Sequence, residues 1–418
     1  MARGYKSRIV EQVIRARSAH AGAVVIEGPK ACGKTATASR FANTIYRFDA
    51  DANARTTAQT APSLLFEATP PILFDEWQLV PSIWNQVKVA ADEPTTPPGQ
   101  FLLAGSAAPA DDVQLHTGAG RMSWVRMRPM SLLETGHSTG TASLRDLFDG
   151  QLTPAVNSAM TVTDLVDRIV VGGWPSLLGA TVPEAQQWLQ DYLQAVCEVD
   201  VPRLGTGRNP AAVRRLLEAL GRNVGASTPV TKLAADVGGA SGPARYDTIA
   251  AYLTALERLM LVEDVPAWNP HMRSKARLRT AETRYLVDPS VGVAALRQGP
   301  AQLLNDLNAT GLHFEALVVR DMRIYSQPMG GTLSSWRDSN GREVDIVVTL
   351  ADGRWGAFEV KLNPNEADTA AAALLNFAAA VDTAKVGEPA VLGVLTTTGP
   401  AHRRADGVAV VPITTLGP

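Results

Sequence analysis

The octapeptide over residues 28–35 reads Gly28-Pro29-Lys30-Ala31-Cys32-Gly33-Lys34-Thr35. It fits the phosphate-binding pattern G-x-x-x-x-G-K-[ST], and its flanks support the match. Residues 23–27 are apolar and predict a buried strand, while residues 36–42 predict the first turns of a helix. A glycine loop between a strand and a helix points backbone N–H groups at phosphate, so we expect the octapeptide to bind ATP. Lys34 is then expected to reach the β- and γ-phosphates and the Thr35 hydroxyl to bind Mg²⁺.

The composition is that of an ordinary globular protein. The chain has 418 residues, of which 45% are hydrophobic. That length predicts roughly two to four domains. No apolar run is long enough for a membrane span, and the first residues lack the apolar stretch of a secretory signal. Cys32 and Cys197 are the only cysteines, which argues against a disulfide framework or a zinc cluster and favours a cytoplasmic location. Because the formal net charge is −2, any nucleic-acid binding has to come from local basic patches.

A second motif lies at residues 71–78, where an apolar run ends in Asp75-Glu76 and is followed by Trp77-Gln78. This pattern predicts a Walker B strand. We expect Asp75 in the Mg²⁺ shell and Glu76 to orient and deprotonate the attacking water. The apolar run at residues 101–106 predicts a neighbouring strand with Ser106 at its carboxyl end, where ligands of open α/β sheets bind. Ser106 is therefore a candidate sensor of the γ-phosphate, and a Gly-Ser turn without a role is the alternative.

Residues 117–131 supply candidates for an arginine finger. Alternation from Met122 to Met127 predicts a strand, and Arg121 precedes it on a glycine loop. That position suits a side chain that reaches the nucleotide of a neighbouring subunit and stabilises transition-state charge. Arg126 and Arg128 are alternatives, as is a solvated arginine without a role.

Together these segments resemble the AAA+ class of ATPases. In detail they resemble a prokaryotic branch in which Asp-Glu-x-Gln and Arg-x-x-x-x-Arg-x-Arg-Pro-Met-Ser precede a C-terminal nuclease-like region; the matching residues here are 75–78 and 121–131. The resemblance implies a RecA-like core of parallel strands, ATP and Mg²⁺ as cofactors, and ring or partial-ring homo-oligomers such as a hexamer.

The region from residue 225 to 292 predicts a winged helix. Residues 231–237 and 245–259 predict two helices joined by a Gly/Ser/Pro turn, and residues 261–265 predict a strand. The second helix of such a module usually enters the major groove of DNA. The segment 271–279 is the most basic run in the chain, and we expect its cationic side chains to contact DNA phosphates. Those side chains are Arg273, Lys275, Arg277 and Arg279. The alternatives are a module that binds a protein partner and a basic hairpin that is only solvated.

The C-terminal region carries a separate group of chemically active residues. Glu315 lies on a predicted helix, and Asp345 lies on a predicted strand. Across the hairpin signal Asp352-Gly353, the next strand places Glu359 and Lys361 on one face. Two carboxylates that face each other across a hairpin can hold Mg²⁺, and a nearby lysine can help to activate water. This region resembles the core of the restriction-endonuclease-like nucleases, in which Glu315 matches a common extra acid on the first helix. The alternatives are a nuclease fold that only binds DNA and a structural domain.

The sequence therefore predicts an α/β chain of four parts: an AAA+ ATPase core over residues 1–140, a helical lid or spacer over 141–224, a winged helix over 225–292 and an α/β nuclease-like domain over 293–418. The leading hypothesis is a Mg²⁺-dependent ATPase that acts on DNA. One alternative is a metal-dependent nuclease gated by ATP. The other is a nucleotide-controlled switch that binds a protein partner.

Overall fold

The computed structural model of the chain describes residues 4–106, 120–157, 159–205, 209–239, 242–269, 282–338 and 341–418. These residues divide into two compact units. The first comprises the described residues up to Pro129 together with Trp174–Ser176 and Leu256–Met260, and the second comprises the others. Within the described ranges, no helix has both the length and the apolar character needed to cross a membrane.

The first unit is built around a parallel sheet. Its helices and strands are α1 (Val10–Ser18), β1 (Ala23–Glu27), α2 (Lys34–Ala38), β2 (Thr44–Arg47), α3 (Ala52–Thr60), α4 (Ser63–Phe66), β3 (Ile72–Asp75), α5 (Ser82–Asp92), β4 (Phe101–Gly105) and β5 (Met122–Arg126). The five strands lie in the order β2-β3-β4-β1-β5, and every neighbouring pair is parallel. The parallel core predicted from the sequence is confirmed.

Helices cover both faces of this sheet. Val24 and Ile26 of β1 pack in an apolar cluster with residues of α1, whereas Ala23 and Val25 pack in another cluster with residues of α3 and α5. Alternate residues of a strand point to opposite faces, so the two clusters lie on opposite sides of the sheet. Strands buried on both faces are expected to be apolar along their length, as β3 and β4 are. The polar chemistry of this unit is therefore concentrated at the strand ends.

The remaining elements follow β5 along the chain. Up to residue 305 they are α6 (Leu132–Thr135), β6 (Ala142–Ser143), α7 (Leu144–Phe148), β7 (Ala155–Val156), α8 (Val162–Val171), α9 (Val182–Ala195), α10 (Val201–Arg203), α11 (Pro210–Arg222), α12 (Val230–Gly238), α13 (Tyr246–Arg258), β8 (Val262–Val265), β9 (Thr283–Leu286), α14 (Pro289–Ala295) and α15 (Pro300–Asn305). They are followed by α16 (Leu307–Ser326), β10 (Thr332–Arg337), β11 (Glu343–Thr349), β12 (Trp355–Lys361), α17 (Ala367–Ala380), α18 (Thr383–Val386), β13 (Val391–Thr396), β14 (Pro400–Arg403), β15 (Ala409–Pro412) and β16 (Leu416–Gly417).

A mixed sheet organises the C-terminal part of the second unit. Its seven strands lie in the order β10-β11-β12-β13-β15-β14-β7. The β10–β11–β12 meander is antiparallel, and α17 then carries the chain to β13, which pairs parallel with β12. Trp355 and Phe377 are buried in the apolar cluster between this sheet and α17. The strands predicted around Asp345 and Glu359 are confirmed as β11 and β12.

The segment from residue 141 to 224 is mostly helical, but it also contains two short strands that the sequence did not predict. Its two-residue strand β6 pairs with β16 at the end of the chain, and β7 pairs with β14 of the C-terminal sheet. Strands of two residues carry no periodic signal, so sequence patterning could not detect them. The C-terminal sheet thus includes residues from both sides of the long helical region.

The predicted winged-helix region contains the expected local elements. The two predicted helices match α12 and α13, and β8 pairs antiparallel with β9. The module as a whole stays a prediction. The four basic residues assigned to DNA contact, Arg273, Lys275, Arg277 and Arg279, lie outside the described residues.

Candidate functional site

The phosphate-loop motif connects β1 to α2 at the carboxyl edge of the parallel sheet. Gly33 has φ +100°, a left-handed conformation that glycine adopts without steric cost. A Cβ at Gly28 would lie 2.2 Å from the carbonyl oxygen of Met127, so no larger residue fits at the start of the loop. The backbone of the motif therefore depends on both glycines.

The side chain of Lys34 turns back into this loop. It is 5% exposed, and Nζ donates hydrogen bonds of 2.9 Å to the carbonyl oxygens of Gly28 and Pro29. An ammonium held this way lies inside the curve of the loop. Phosphate oxygens entering the loop would replace these carbonyls as its partners, which is the role that the sequence predicted for Lys34.

The Walker B carboxylate meets the phosphate loop at the end of β3. Asp75 is 1% exposed, and its two oxygens accept from Thr35 Oγ1 at 2.9 and 3.1 Å. Arg47, at the end of β2, has Nε 3.9 Å from Asp75 Oδ2. Burial raises the pKa of Asp75, and the hydrogen bond from Thr35 opposes that rise. A hydroxyl and a carboxylate in contact form a donor set that suits Mg²⁺, which commonly takes one or two protein carboxylates together with substrate phosphates.

Glu76 and Ser106 lie next to this pair, at the ends of β3 and β4. The Glu76 Oε2 atom accepts a hydrogen bond from Gln78 Nε2, and Ser106 Oγ lies 3.5 Å from the same oxygen. Ser106 is 1% exposed. The structure thus brings together Lys34, Thr35, Asp75, Glu76 and Ser106, which the sequence placed on three separate segments. It also adds Gln78, which was quoted in the motif but given no role.

The acidic residues of the C-terminal sheet form a second candidate site. Asp345 Oδ2 accepts from the backbone N–H of Val360 at 2.8 Å, so the hairpin brings the Asp345 strand against the Glu359 strand. Lys361 Nζ lies 2.7 Å from Glu359 Oε2. Tyr285, on β9, donates a hydrogen bond to Glu315 Oε1. Each of the three carboxylates therefore has its own partner.

These groups still affect one another electrostatically. Burial, and then the charge of Asp345, raise the pKa of Glu315 to about 8 and that of Glu359 to about 7. Burial also raises the pKa of Asp345, and Lys361 opposes it. In the part of the chain that the structure describes, no group of three or more His, Cys, Asp or Glu side chains is arranged to hold a metal ion. The acids are close enough to interact, but in this arrangement they do not converge on one point.

A cavity of about 580 Å³ opens beside these acids. Its wall is partly acidic and partly aromatic and includes Lys232, Tyr285, Glu315, Trp336, Glu343 and Asp345. Two of these come from the predicted winged-helix region and the others from α16 and the β10–β11 hairpin. The cavity is therefore shared by the two regions that the sequence treated as separate modules.

Comparison with protein families identifies the region around the phosphate loop. Residues 20–136 match the family model described as an AAA domain. This part of the chain is therefore similar to AAA domains. Two further models match downstream, each described as a domain of unknown function: DUF8612 over residues 162–302 and DUF4143 over residues 310–416.

Two mycobacterial proteins are similar to most of the chain. The uncharacterized proteins Mb2031c of Mycobacterium bovis and Rv2008c of Mycobacterium tuberculosis are each 25% identical over 346 residues, which is 81% of this chain and 70% of theirs.

Among solved structures, the Walker-type ATPase PABY2304 of Pyrococcus abyssi is 11% identical and has a TM-score of 0.44, covering 70% of this chain and 96% of its own. A point mutant of RuvB from Thermotoga maritima is 12% identical with a TM-score of 0.27, covering 62% of this chain and 88% of its own. Because both TM-scores are below 0.5, we draw no conclusion from these two structures.

Two candidates for the arginine finger, Arg121 and Arg126, lie at opposite edges of the parallel sheet. Met122 pairs with Ala23 at the start of β1, so Arg121 lies at the edge of the sheet away from the phosphate loop of the same chain. It is exposed and forms an ion pair with Asp92. Arg126 instead pairs with Glu27 at the phosphate-loop edge, with 3.3 Å between Nη1 and Oε1. A role for Arg121 in the site of a neighbouring subunit stays a prediction.

Sequence reasoning missed one arginine of the first unit altogether. Arg8 is 6% exposed and donates from Nη1 to the carbonyl oxygen of Cys32 at 2.9 Å and from Nη2 to that of Arg128 at 2.7 Å. It therefore ties the phosphate loop to the segment that follows β5. Arg8 precedes β1 and belongs to no motif, so no local signal distinguished it from a solvated arginine.

Proposed function

We propose that this protein is a Mg²⁺-dependent ATPase that acts as a homo-oligomer and couples ATP hydrolysis to the binding or remodelling of DNA. The observation that carries the proposal is the convergence of Lys34, the Thr35–Asp75 pair and the Glu76–Ser106 pair at one edge of the parallel sheet. Lysine, hydroxyl and carboxylate groups in this arrangement are the parts from which P-loop hydrolases are built.

Each residue has a distinct task in this proposal. Lys34 binds the β- and γ-phosphate oxygens, while Thr35 and Asp75 supply protein ligands for Mg²⁺. When bound, Mg²⁺ neutralises negative charge on the phosphates. Glu76 takes a proton from the attacking water, because it is the carboxylate next to the metal pair at the strand ends. Ser106 is the proposed sensor of the γ-phosphate, and it lies within 3.5 Å of the same glutamate.

DNA is the proposed effector because of the region from α12 to β9. Two helices followed by two antiparallel strands have the element order of a winged helix. The sequence between those strands holds the cationic residues Arg273, Lys275, Arg277 and Arg279, in a chain whose formal net charge is −2. A local concentration of positive charge of this kind suits phosphate contact.

The test is ATPase turnover with and without single-stranded and double-stranded DNA, with Lys34→Ala as the blank. We expect wild-type turnover to rise with DNA and the rise to weaken as salt increases. A variant with Gln at all four cationic positions should keep basal turnover and lose the stimulation. Turnover that no form of DNA changes would reject the coupling. Nucleotide-dependent association with a protein, without salt-sensitive DNA affinity, would instead support the switch hypothesis.

Assembly is tested by mixing two inactive variants. Lys34→Ala lacks the lysine of the phosphate loop but keeps Arg121. Arg121→Ala keeps the phosphate loop but lacks the arginine. If Arg121 completes a neighbouring subunit's site, mixed oligomers should regain ATPase activity that neither variant shows alone. Recovery that does not exceed the sum of the separate variants would reject a role in trans.

An ATP-gated DNA nuclease is the second candidate function, favoured by the electrostatic coupling of Glu315, Asp345 and Glu359. Metal binding there requires the carboxylates to turn towards one point, while Tyr285 occupies one oxygen of Glu315 and Lys361 one oxygen of Glu359. The experiment is incubation of plasmid and branched DNA with Mg²⁺ or Mn²⁺, with and without ATP. Cleavage by the wild type and not by Asp345→Ala would support the nuclease. Equal behaviour of the two proteins would reject catalysis at this site.

A further inference from the structure

The backbone at Glu76 has an uncommon conformation. Its φ is +52°, in the left-handed region that non-glycine residues seldom adopt. Glu76 is the residue directly after β3 and precedes a single turn of 3-10 helix, Trp77–Leu79. Such strain persists only where the surroundings hold the residue in place, and it often marks a functional position. The groups that contact the Glu76 side chain are therefore candidates for holding this residue in its strained conformation.

The amide of Gln78 is engaged at only one of its two ends. Nε2 donates to Glu76 Oε2, whereas Oε1 is buried and has no hydrogen-bond partner among the described residues. Reversing the amide would not help, because Oε1 would then face the carboxylate and neither atom could donate. A buried carbonyl oxygen without a donor is costly. The Gln78 side chain thus keeps its hydrogen bond to Glu76 although its own carbonyl oxygen is buried without a donor.

The neighbouring strand leaves room for this amide. Gly105 is the last residue of β4, and a Cβ there would lie 2.5 Å from Gln78 Oε1 and 2.9 Å from Trp77 Nε1. Any side chain at position 105 would therefore displace Gln78. The following residue, Ser106, approaches the same Glu76 oxygen from β4. Two strand ends thus combine to fix one carboxylate.

We infer that Gln78 is a positioning residue for ATP hydrolysis, which holds the Glu76 carboxylate in the orientation that accepts a proton from the attacking water. The inference rests on the proposed ATPase function. In the step that it serves, a water O–H bond breaks and its proton passes to Glu76. The water oxygen forms a bond to the γ-phosphorus, and the bond to the β-phosphate oxygen breaks as ADP leaves. In this inference Gln78 acts only through Glu76, to which its Nε2 donates a hydrogen bond.

The experiment compares Gln78→Leu and Gln78→Glu with wild type in steady-state ATPase assays, and measures binding of a fluorescent ATP analogue separately. Gln78→Leu should lower kcat by about 10- to 100-fold, because general-base catalysis contributes on the order of 10²–10⁴. Its KM and analogue affinity should stay within about twofold of wild type, because Gln78 is not in the phosphate loop. Gln59→Leu, at an exposed glutamine of α3, is the matched control and should change neither.

The split between kcat and KM separates positioning from a merely structural role, because a misfolded site would also lose nucleotide affinity. Gln78→Glu keeps the shape of the side chain but replaces the amide NH₂ that donates to Glu76 with a carboxylate oxygen. Its kcat should therefore fall together with that of Gln78→Leu, while its analogue affinity stays near that of wild type. Unchanged kcat in Gln78→Leu, or a raised kcat, would overturn the inference. Wild type that binds nucleotide but never hydrolyses it would instead overturn the proposed function, and this inference with it.

Discussion

Removal of the buried guanidinium of Arg320 should strongly destabilise the second unit. Arg320 is 3% exposed and lies between two carboxylates that are fully buried. Its Nη1 donates to Asp288 Oδ2 at 2.8 Å, and its Nε donates to Asp321 Oδ1 at 2.8 Å. The other Asp321 oxygen accepts from the backbone N–H of Leu132 at 2.9 Å, at the start of α6. Arg320→Leu would leave both aspartates buried without their cation.

The expected loss follows from that arrangement. Removing one partner of a buried ion pair costs about 3–5 kcal/mol, because the remaining charge stays desolvated. With a urea m-value of about 3 kcal/mol/M, the unfolding midpoint should fall by about 1–1.7 M. Burial raises the pKa of Asp321 and Arg320 opposes that rise, so Asp321 should take up a proton more easily in the variant. The destabilisation should therefore shrink as the pH is lowered.

Urea unfolding followed by circular dichroism, at pH 7.5 and pH 5, tests this reasoning. The matched control is Arg337→Leu, whose side chain is 64% exposed and pairs with exposed Glu343. Loss of a surface pair costs about 0–1 kcal/mol, so the control should unfold near the wild-type midpoint. If Arg320→Leu and the control have the same urea midpoint at both pH values, the ion network contributes no net stability and the prediction is wrong.

Three further predictions concern the two candidate sites. Burial raises the pKa of Glu315 from an ordinary 4.5 to about 8, so the folded protein binds the extra proton and stability should fall as pH rises from about 4.5 to 8. Glu315→Gln should reduce that dependence in urea unfolding at pH 5.5 and 8.5, and Glu359, whose pKa is raised to about 7, should supply the rest. In Gly28→Ala the new Cβ would lie 2.2 Å from a backbone oxygen, so the phosphate loop would have to shift. The variant should bind an ATP analogue about tenfold more weakly or worse in a fluorescence titration, since each 1.4 kcal/mol of strain is a factor of ten in affinity. Arg8→Leu should destabilise the first unit by about 1.5–3 kcal/mol in urea unfolding, the range for hydrogen bonds to a charged group.

Each of these has its own control. Glu388→Gln, at an exposed carboxyl, should leave the pH dependence of stability as in wild type. If this control also lost pH dependence, Glu315 would not be the group that causes it. Gly4→Ala, where a Cβ meets nothing within 4 Å, should bind nucleotide normally, and equal binding by Gly28→Ala would contradict the steric reasoning. Arg8→Lys keeps the charge without the fork that joins two carbonyls, so stability equal to wild type would argue against a bridging role.

The nucleotide site was largely predictable because its residues belong to continuous motifs. The phosphate loop fixes its own backbone through Gly28 and Gly33, and the Walker B pattern located Asp75 and Glu76. Ser106 could be placed beside them because adjacent parallel strands end at the same edge of the sheet.

What sequence reasoning missed depends on contacts between distant segments. Arg8 acquires its role by packing against carbonyls at residues 32 and 128, which no local pattern encodes. The hairpin signal predicted that Asp345 and Glu359 would be neighbours, but not that Tyr285 would bind Glu315. That bond joins β9 to α16 and exists only once these two elements have packed together. Tertiary packing, rather than local preference, decided these positions.

The pairing of β7 with β14 affects how the C-terminal domain can be separated from the rest of the chain. The family match over residues 310–416 invites a single cut near residue 300. Such a fragment would lack Ala155–Val156, and β14 would become the bare edge of the sheet. Unpaired edge strands recruit other chains and promote aggregation. A soluble fragment would instead have to keep residues 139–157 and the helices between β7 and α16, because Asp288 in that region pairs with the buried Arg320 of α16.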